Sequence, residues 1–199
     1  MVNAFIVRHG ATPWNEAGRL QGWSDVPLTS EGRREAERAG EAIDTIGEPD
    51  RIITSPLRRA VDTAEIISAR TGIRDVETAS GWKERSFGSL EGKRANTAFS
   101  EHPELHPKSQ TFSPAAALDG ESCRTVIDRV RSCWSSVVRA DEPVIVVTHE
   151  TPMRIVTGLV DDTDPIEALQ RRSFTPGSTV GIRGQNRGTG SVWWKISVG

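Results

Sequence analysis

The run Ala4-Phe5-Ile6-Val7-Arg8-His9-Gly10, which breaks into Ala11-Thr12-Pro13-Trp14-Asn15, decides how the chain is read. Val2 to Val7 is short, rich in apolar residues and closed off by glycine and proline, which favours a buried strand emptying into a loop. At the strand's end a histidine sits beside an arginine. Imidazole is a nucleophile that can carry a phosphoryl group covalently, and a guanidinium offers a planar fork of donors matched to phosphate oxygens. Gly10, without a side chain, lets the backbone come close to an anion. Alone the triplet is weak, because a loop histidine is more usually just solvated.

Working outward, Arg51 to Thr54 reads as a second strand, followed by the helix start Ser55-Pro56-Leu57-Arg58-Arg59-Ala60, with Ser55 as N-cap and Pro56 at the first helical position. Leu57, Ala60, Val61, Ala64 and Ile67 give the spacing of an amphipathic helix that ends near Gly72. A helix start at a strand's end turns free N–H groups toward an anion. Arg58 and Arg59 are both in reach of it, and spacing does not choose between them. Val144 to Thr148 is an unbroken β-branched run, which suggests burial on both faces, and it ends in His149. Asp75 to Thr78, Ser178 to Arg183 and Ser191 to Val198 complete the strands, the last with Trp193 and Trp194 on opposite faces.

Helices are expected from Thr29 or Ser30 to Ile46, Arg94 to Phe99, Glu121 to Arg139, Pro152 to Leu159 and Ile166 to Arg171. The stretch from Gly10 to Leu28 reads as irregular. In the Glu121 helix, Val126, Ile127, Val130, Cys133, Trp134, Val137 and Val138 form the apolar side, while Arg124, Asp128, Arg129 and Arg131 read as a solvated face. Strands alternating with helices predict one α/β domain over 1–199, a three-layer α/β/α sandwich with a largely parallel central sheet. Ligands of such sheets gather at the carboxyl ends of strands, where both His9 and His149 fall.

The composition bounds the partners. With 199 residues, a formal net charge of -2 and 26% charged residues, the chain has no basic field that would recommend nucleic acid or an anionic membrane. No signal peptide or membrane span is legible, so a cytoplasmic protein is the default expectation. Cys123 and Cys133 lie in one predicted helix, about 15 Å apart along its axis, too far to pair. No zinc-like spacing occurs among the four histidines, and Pro103 and Pro107 argue against a helix that would align His102 with His106, so no metal site is expected. The oligomeric state is left open, a homodimer included.

Several motifs line up in order: Arg8-His9-Gly10-x-Thr12-x-Trp14-Asn15, Leu20-Gln21-Gly22-Trp23-x-Asp25-x-Pro27-Leu28-Thr29, Ser55-Pro56-Leu57-x-Arg59-Ala60 with Thr63-Ala64, the loop Glu84 to Gly92, and His149. In these the chain resembles the histidine phosphatase superfamily, in its phosphoglycerate-mutase-like branch. The resemblance implies that fold, a substrate-selecting cap within 93–120, and Arg59 as the phosphate-binding arginine. It implies that His9 attacks phosphorus while Arg8, Arg59 and His149 hold the equatorial oxygens. Glu84 then protonates the leaving alkoxide and later activates water. Asn15, Gln21 and Gly22 become secondary phosphate contacts, and neither metal nor cofactor is required. Two imidazoles and two guanidiniums at one point repel one another when empty, so the site is suited to a phosphate dianion.

One residue departs from the pattern: Glu150 stands where that branch usually has glycine. Its carboxylate could repel phosphate, donate a proton in place of Glu84, or bind a hydroxyl or amine of the substrate. Mutases of the family carry longer chains with extra basic residues in the insert. Here Ala95 to Ser122 holds only Lys108, and Arg85-Ser86-Phe87 stands where mutases carry His and Tyr. Both features favour hydrolysis of a small phosphorylated metabolite. A mutase-type phosphotransferase is the alternative, with Lys93 and Arg94 in its favour, and a non-catalytic phosphate-binding protein is a third reading.

Overall fold

The computed structural model describes the backbone of residues 3–187 and 190–198 and the side chains of residues 4–182. At its centre the run Val144–Thr148 forms β4, buried at every position as its β-branched sequence requires. It is flanked by β1 (Asn3–Arg8) and β2 (Arg51–Thr54), both parallel to it. Strand β3 (Asp75–Thr78) adds in parallel outside β2, and its four residues are all exposed, as befits an edge. On the other side β5 (Thr179–Arg187) and β6 (Gly190–Val198) run antiparallel, giving the order β3-β2-β4-β1-β5-β6. The side chains of Trp193 and Trp194 lie outside the described residues.

Alternation along the strands builds two cores. Phe5, Val7, Ile52, Ile145 and Val147 face α2 (Ser30–Ile46) and α3 (Arg58–Thr71), meeting Ala39, Ile43, Ala60, Ala64 and Ile67. Ala4, Ile6, Ile53, Val144 and Val146 face the opposite layer of α5 (Cys123–Ala140), α6 (Glu150–Val160) and α7 (Pro165–Arg171). The result is the three-layer α/β/α arrangement expected from the alternation of elements. Among the described residues no helix is long and apolar enough to cross a membrane.

Register positions the site. Val7 and Arg8 stand opposite Val147 and Thr148, and Thr54 stands opposite Val147. The ladder runs one step past the strands, with His9 N donating to Thr148 O and Ser55 N to Val147 O, each at 2.9 Å. His9, Ser55 and His149 therefore leave the sheet at one level.

Three local readings need correction. Helix α3 begins at Arg58 with Leu57 as N-cap, not at Pro56 with Ser55 as its cap; the Ser55 hydroxyl accepts from Leu57 N at 3.3 Å, ahead of the helix, and also meets His149 Nε2 at 2.8 Å. The stretch read as irregular contains a short helix α1 (Pro13–Glu16), started by reciprocal capping between Thr12 and Asn15. Gly10 serves packing rather than an anion: its N–H donates to Thr63 Oγ1, and a Cβ on it would stand 2.0 Å from Gly32 O. The segment beyond α4 (Ala95–Glu101) is tied down by a small apolar cluster of Leu20, Leu90, Ala98 and Leu105. The buried Arg85 guanidinium also donates to the carbonyls of Leu105 and Glu121.

The contact between Gly10 and Gly32 brings two backbones together where no side chain fits, since a Cβ on Gly32 would stand 2.1 Å from Ala11 O. Gly32→Ala is expected to destabilise the fold by about 1–3 kcal/mol through overpacking. Urea unfolding checks this: the midpoint should fall with an unchanged slope.

Candidate active site

His9 and His149 follow the ends of adjacent strands, and their rings stand 5.0 Å apart, centroid to centroid, tilted by 59°. His9 Nδ1 faces the Gly10 carbonyl at 2.7 Å. A carbonyl only accepts, so Nδ1 carries the proton and Nε2 keeps its lone pair. Onto that lone pair Arg59 Nε donates at 3.2 Å. The rest of the Arg59 fork is anchored by the carbonyls of Ser24 (2.9 Å) and Gly22 (2.8 Å). Arg59 is fully buried, whereas its neighbour Arg58 is exposed and pairs loosely with Asp62. Side-chain direction separates the two arginines that spacing could not.

Burial dominates the electrostatics. It pushes the Arg59 guanidinium down to about 10, against the opposing pull of Glu84, Asp25 and Glu91. The His9 imidazole lies well below its usual range, first through burial and then through the charges of Arg59 and Arg8. His149 is lowered likewise by burial, then by Arg59 and His9. Both rings are thus neutral near pH 7, the form in which a nitrogen can act as nucleophile. His149 Nε2 shares a hydrogen bond with Ser55 Oγ at 2.8 Å. His149 Nδ1 and Arg8 Nε are buried without a hydrogen-bond partner among the described residues. Buried polar atoms are rarely left so.

Arg8 is held by the Phe174 carbonyl and by an ion pair with Glu150 at 2.9 Å. Glu150 also pairs with Arg154, one helical turn along α6. The residue that departs from the family pattern is therefore neutralised on both sides by arginines. The Glu84 carboxylate accepts from Arg85 N at 2.7 Å and from Thr151 N, in the first turn of α6, at 3.3 Å. Its main-chain carbonyl accepts from Trp23 Nε1 and from Arg129 Nη2, both at 2.8 Å.

All nine residues singled out in the sequence (Arg8, His9, Asn15, Gln21, Gly22, Arg59, Glu84, Glu150 and His149) meet in one region, eight of them lining a cavity of about 560 Å³, with His149 buried beneath it. Asn15 and Gln21 are linked through Thr12, whose hydroxyl stands within hydrogen-bond distance of both side-chain oxygens, at 3.0 and 2.9 Å, with its one proton to give to either. The Gly22 carbonyl is engaged by Arg59 rather than free. Trp14, Phe87, Phe99 and His106 supply an aromatic wall, and Arg19, Lys108 and Arg154 bring further cations. Sequence reasoning missed Ser55 as the partner of His149, Arg154 as the partner of Glu150, and Arg129, which was read as a solvent-facing charge. The i,i+4 spacing of Glu150 and Arg154 was a usable signal; for Arg129 none existed.

A family model described as the histidine phosphatase superfamily (branch 1) matches residues 4–197. The chain is 31% identical to phosphoglycerate mutase 1 of Saccharomyces cerevisiae, a match covering 83% of this chain and 79% of the yeast protein. It is 29% identical to the 2,3-bisphosphoglycerate-dependent phosphoglycerate mutase of Bifidobacterium longum, over 79% of this chain and 76% of that protein. A solved structure of a mycobacterial glucosyl-3-phosphoglycerate phosphatase with VO3 aligns at a TM-score of 0.82, over 98% of this chain and 97% of the other, at 24% identity. At that identity the likeness is one of fold.

Two histidines held neutral in the folded state, and free to protonate near pH 6.5 when unfolded, fix a sign for the pH dependence. Their contribution to stability is full above about pH 6.5 and is lost as pH falls below it, at about 1.4 kcal/mol per pH unit for each ring. Melting temperature should fall between about pH 7 and pH 5, and the slope should be shallower in His149→Gln. A wild-type melting temperature that rises on acidification would contradict this.

Proposed function

The chain belongs to the histidine phosphatase superfamily, branch 1, and from that premise we propose that it hydrolyses a small phosphomonoester without a metal, through a phosphohistidine on His9. The observation that carries this reading is the His9 ring itself. Its Nδ1 proton is committed to the Gly10 carbonyl and its Nε2 lone pair faces a buried guanidinium, all at the floor of a cavity.

Nε2 attacks phosphorus as the bond to the leaving oxygen breaks. Glu84 gives its proton to that oxygen, and the free alcohol departs. Water then attacks the phosphohistidine as the Glu84 carboxylate takes its proton. The nitrogen–phosphorus bond breaks, releasing inorganic phosphate and the neutral imidazole. Arg8, Arg59 and His149 hold the equatorial oxygens, where transition-state charge accumulates, so the stabilising positive charge is built into the chain. The unpartnered Arg8 Nε and His149 Nδ1 support this assignment. Asn15, Gln21 and Gly22 line the same cavity and serve as secondary contacts.

Residues 93–120 act as the substrate-selecting cap, consistent with Ala95, Phe99, His106, Pro107 and Lys108 in the cavity wall. Glu150 serves as counter-ion to Arg8 and as a contact for the substrate's remainder, while Glu84 is the acid. Arg85 offers no grip on a second anion, since its guanidinium is engaged by the Leu105 and Glu121 carbonyls and by Cys123 Sγ. Together with the aromatic wall, this favours hydrolysis of an ester with a weakly charged remainder. A phosphoglycerate mutase-type transfer is the second reading, favoured by Arg19, Lys108 and Arg154 in the same cavity and by the names of the curated relatives.

Release of p-nitrophenol from p-nitrophenyl phosphate in the presence of a chelator tests the chemistry. Turnover should vanish in His9→Ala and fall about 10²–10³-fold in Arg59→Ala. An acid-labile phosphoenzyme should be trapped in the wild type. Absence of turnover would favour a binding protein, and 2,3-bisphosphoglycerate-dependent interconversion of phosphoglycerates would favour the mutase. Glu150→Gln frees Arg8 from its ion pair, so orthovanadate should inhibit this variant about tenfold more tightly, close to the value of one charge-assisted hydrogen bond.

A further inference from the structure

The geometry points to Arg129 as a positioning residue that sets the place of Glu84, although it touches neither the cavity nor the reacting groups. Arg129 lies on α5, on the border of its apolar face, with only 18% of its side chain exposed. All five of its N–H bonds are engaged. Nη1 donates to the carbonyls of Gly81 (2.9 Å) and Lys83 (2.7 Å), and Nη2 to the carbonyl of Glu84 (2.8 Å). Nε and Nη2 then form a two-pronged pair with Glu121, at 2.9 and 2.8 Å. Three of these acceptors are backbone oxygens of the one short segment that carries Glu84.

Such a pattern is a template for backbone shape. A planar fork with fixed donor directions holds the carbonyls of residues 81, 83 and 84 in one arrangement. The carboxylate of Glu84 extends from that backbone, with Arg85 N and Thr151 N as its own donors. Glu121 closes the clamp from the other side: its Oε2 also accepts from Ser86 N at 3.0 Å, and its main-chain O accepts from Arg85 Nε at 2.9 Å. The clamp therefore spans residues 81–86 and leads directly into the Arg85 bonds that fasten the stretch around Leu105. Lysine offers three donors from one point and cannot reproduce five in a plane. A sub-ångström shift of the acid would weaken proton donation while leaving the phosphate cradle of Arg8, His9, Arg59 and His149 intact.

This inference rests on the reading of Glu84 as proton donor, and its test separates the two. Phenyl phosphate has a poorer leaving group than p-nitrophenyl phosphate and depends more on protonation, and kcat/KM covers the steps through formation of the phosphohistidine. In Arg129→Lys, kcat/KM is expected to fall about tenfold more on phenyl phosphate than on p-nitrophenyl phosphate. Inhibition by orthovanadate should stay within about twofold of wild type. Glu121→Gln, which keeps the shape of the clamp but weakens it, should show the same discrimination to a smaller degree and guards against a lysine variant that does not fold. Equal losses on both esters, or weakened vanadate binding in parallel, would mean a merely structural role and overturn the inference. Discrimination in Glu84→Gln without discrimination in either clamp variant would overturn it alone. No discrimination in Glu84→Gln, or no wild-type turnover of either ester, would overturn the assignment of Glu84 and this inference with it.

Discussion

A buried guanidinium donating to the bare nitrogen of a buried imidazole is the contact on which this site depends. Arg59 and His9 are both removed from water, and the guanidinium makes the charged form of the imidazole harder still to hold. The arginine stays cationic because the Ser24 and Gly22 carbonyls solvate it and the carboxylates of Glu84, Asp25 and Glu91 surround it. The histidine yields instead and is neutral. A neutral imidazole beside a fixed cation is the electrostatic state that the proposed phosphoryl transfer requires before any substrate arrives.

Keeping that pair in place shapes the neighbouring loops. The 21–25 segment must turn its carbonyls inward, and Gly22 does so at a positive φ of 49° where a Cβ would collide with Glu91. Glu91 in turn accepts from Trp23 N and Ser24 Oγ, so the loop that solvates Arg59 is itself fastened to the 84–92 loop. Behind His9, Gly10 is pressed against Gly32, and its amide is taken by Thr63, whose hydroxyl donates to the Arg59 carbonyl. The two partners are thus linked a second time, through the backbone.

Carboxylates are distributed around this positive centre. Glu84 sits at the first turn of α6, Glu150 lies between Arg8 and Arg154, and Glu121 lies against Arg129. Of these three, Glu84 alone has both its oxygens on backbone donors instead of an arginine. A carboxylate free of a permanent ion pair can exchange a proton without losing one, whereas Glu150 is committed to its pairs with Arg8 and Arg154, and against the effect of burial the Arg129 fork holds the Glu121 carboxyl below its usual range. This division separates the proposed acid from the counter-ions better than position along the chain does.

The amino-acid sequence alone determined the layers of the fold, because hydrophobic period and turn residues are local: Val144–Thr148 had to be buried, and Gly47, Gly72 and the prolines had to punctuate. It also brought His9, His149, Arg59 and Glu84 forward as candidates, since these stand in the motifs on which the family resemblance rests. Three things were decided only in three dimensions. Which way Ser55 points depends on His149, distant in the chain but one strand away in the sheet, so a residue that reads as a helix cap becomes a histidine's partner. Whether Glu150 repels or is neutralised depends on Arg8, which the parallel register of β1 and β4 brings beside it. Arg129 looks like one more solvated charge until α5 is laid against the loop whose carbonyls it binds. A sequence shows which residues can bond, but long-range pairing depends on the register of strands and the packing of layers, and only the folded chain fixes those.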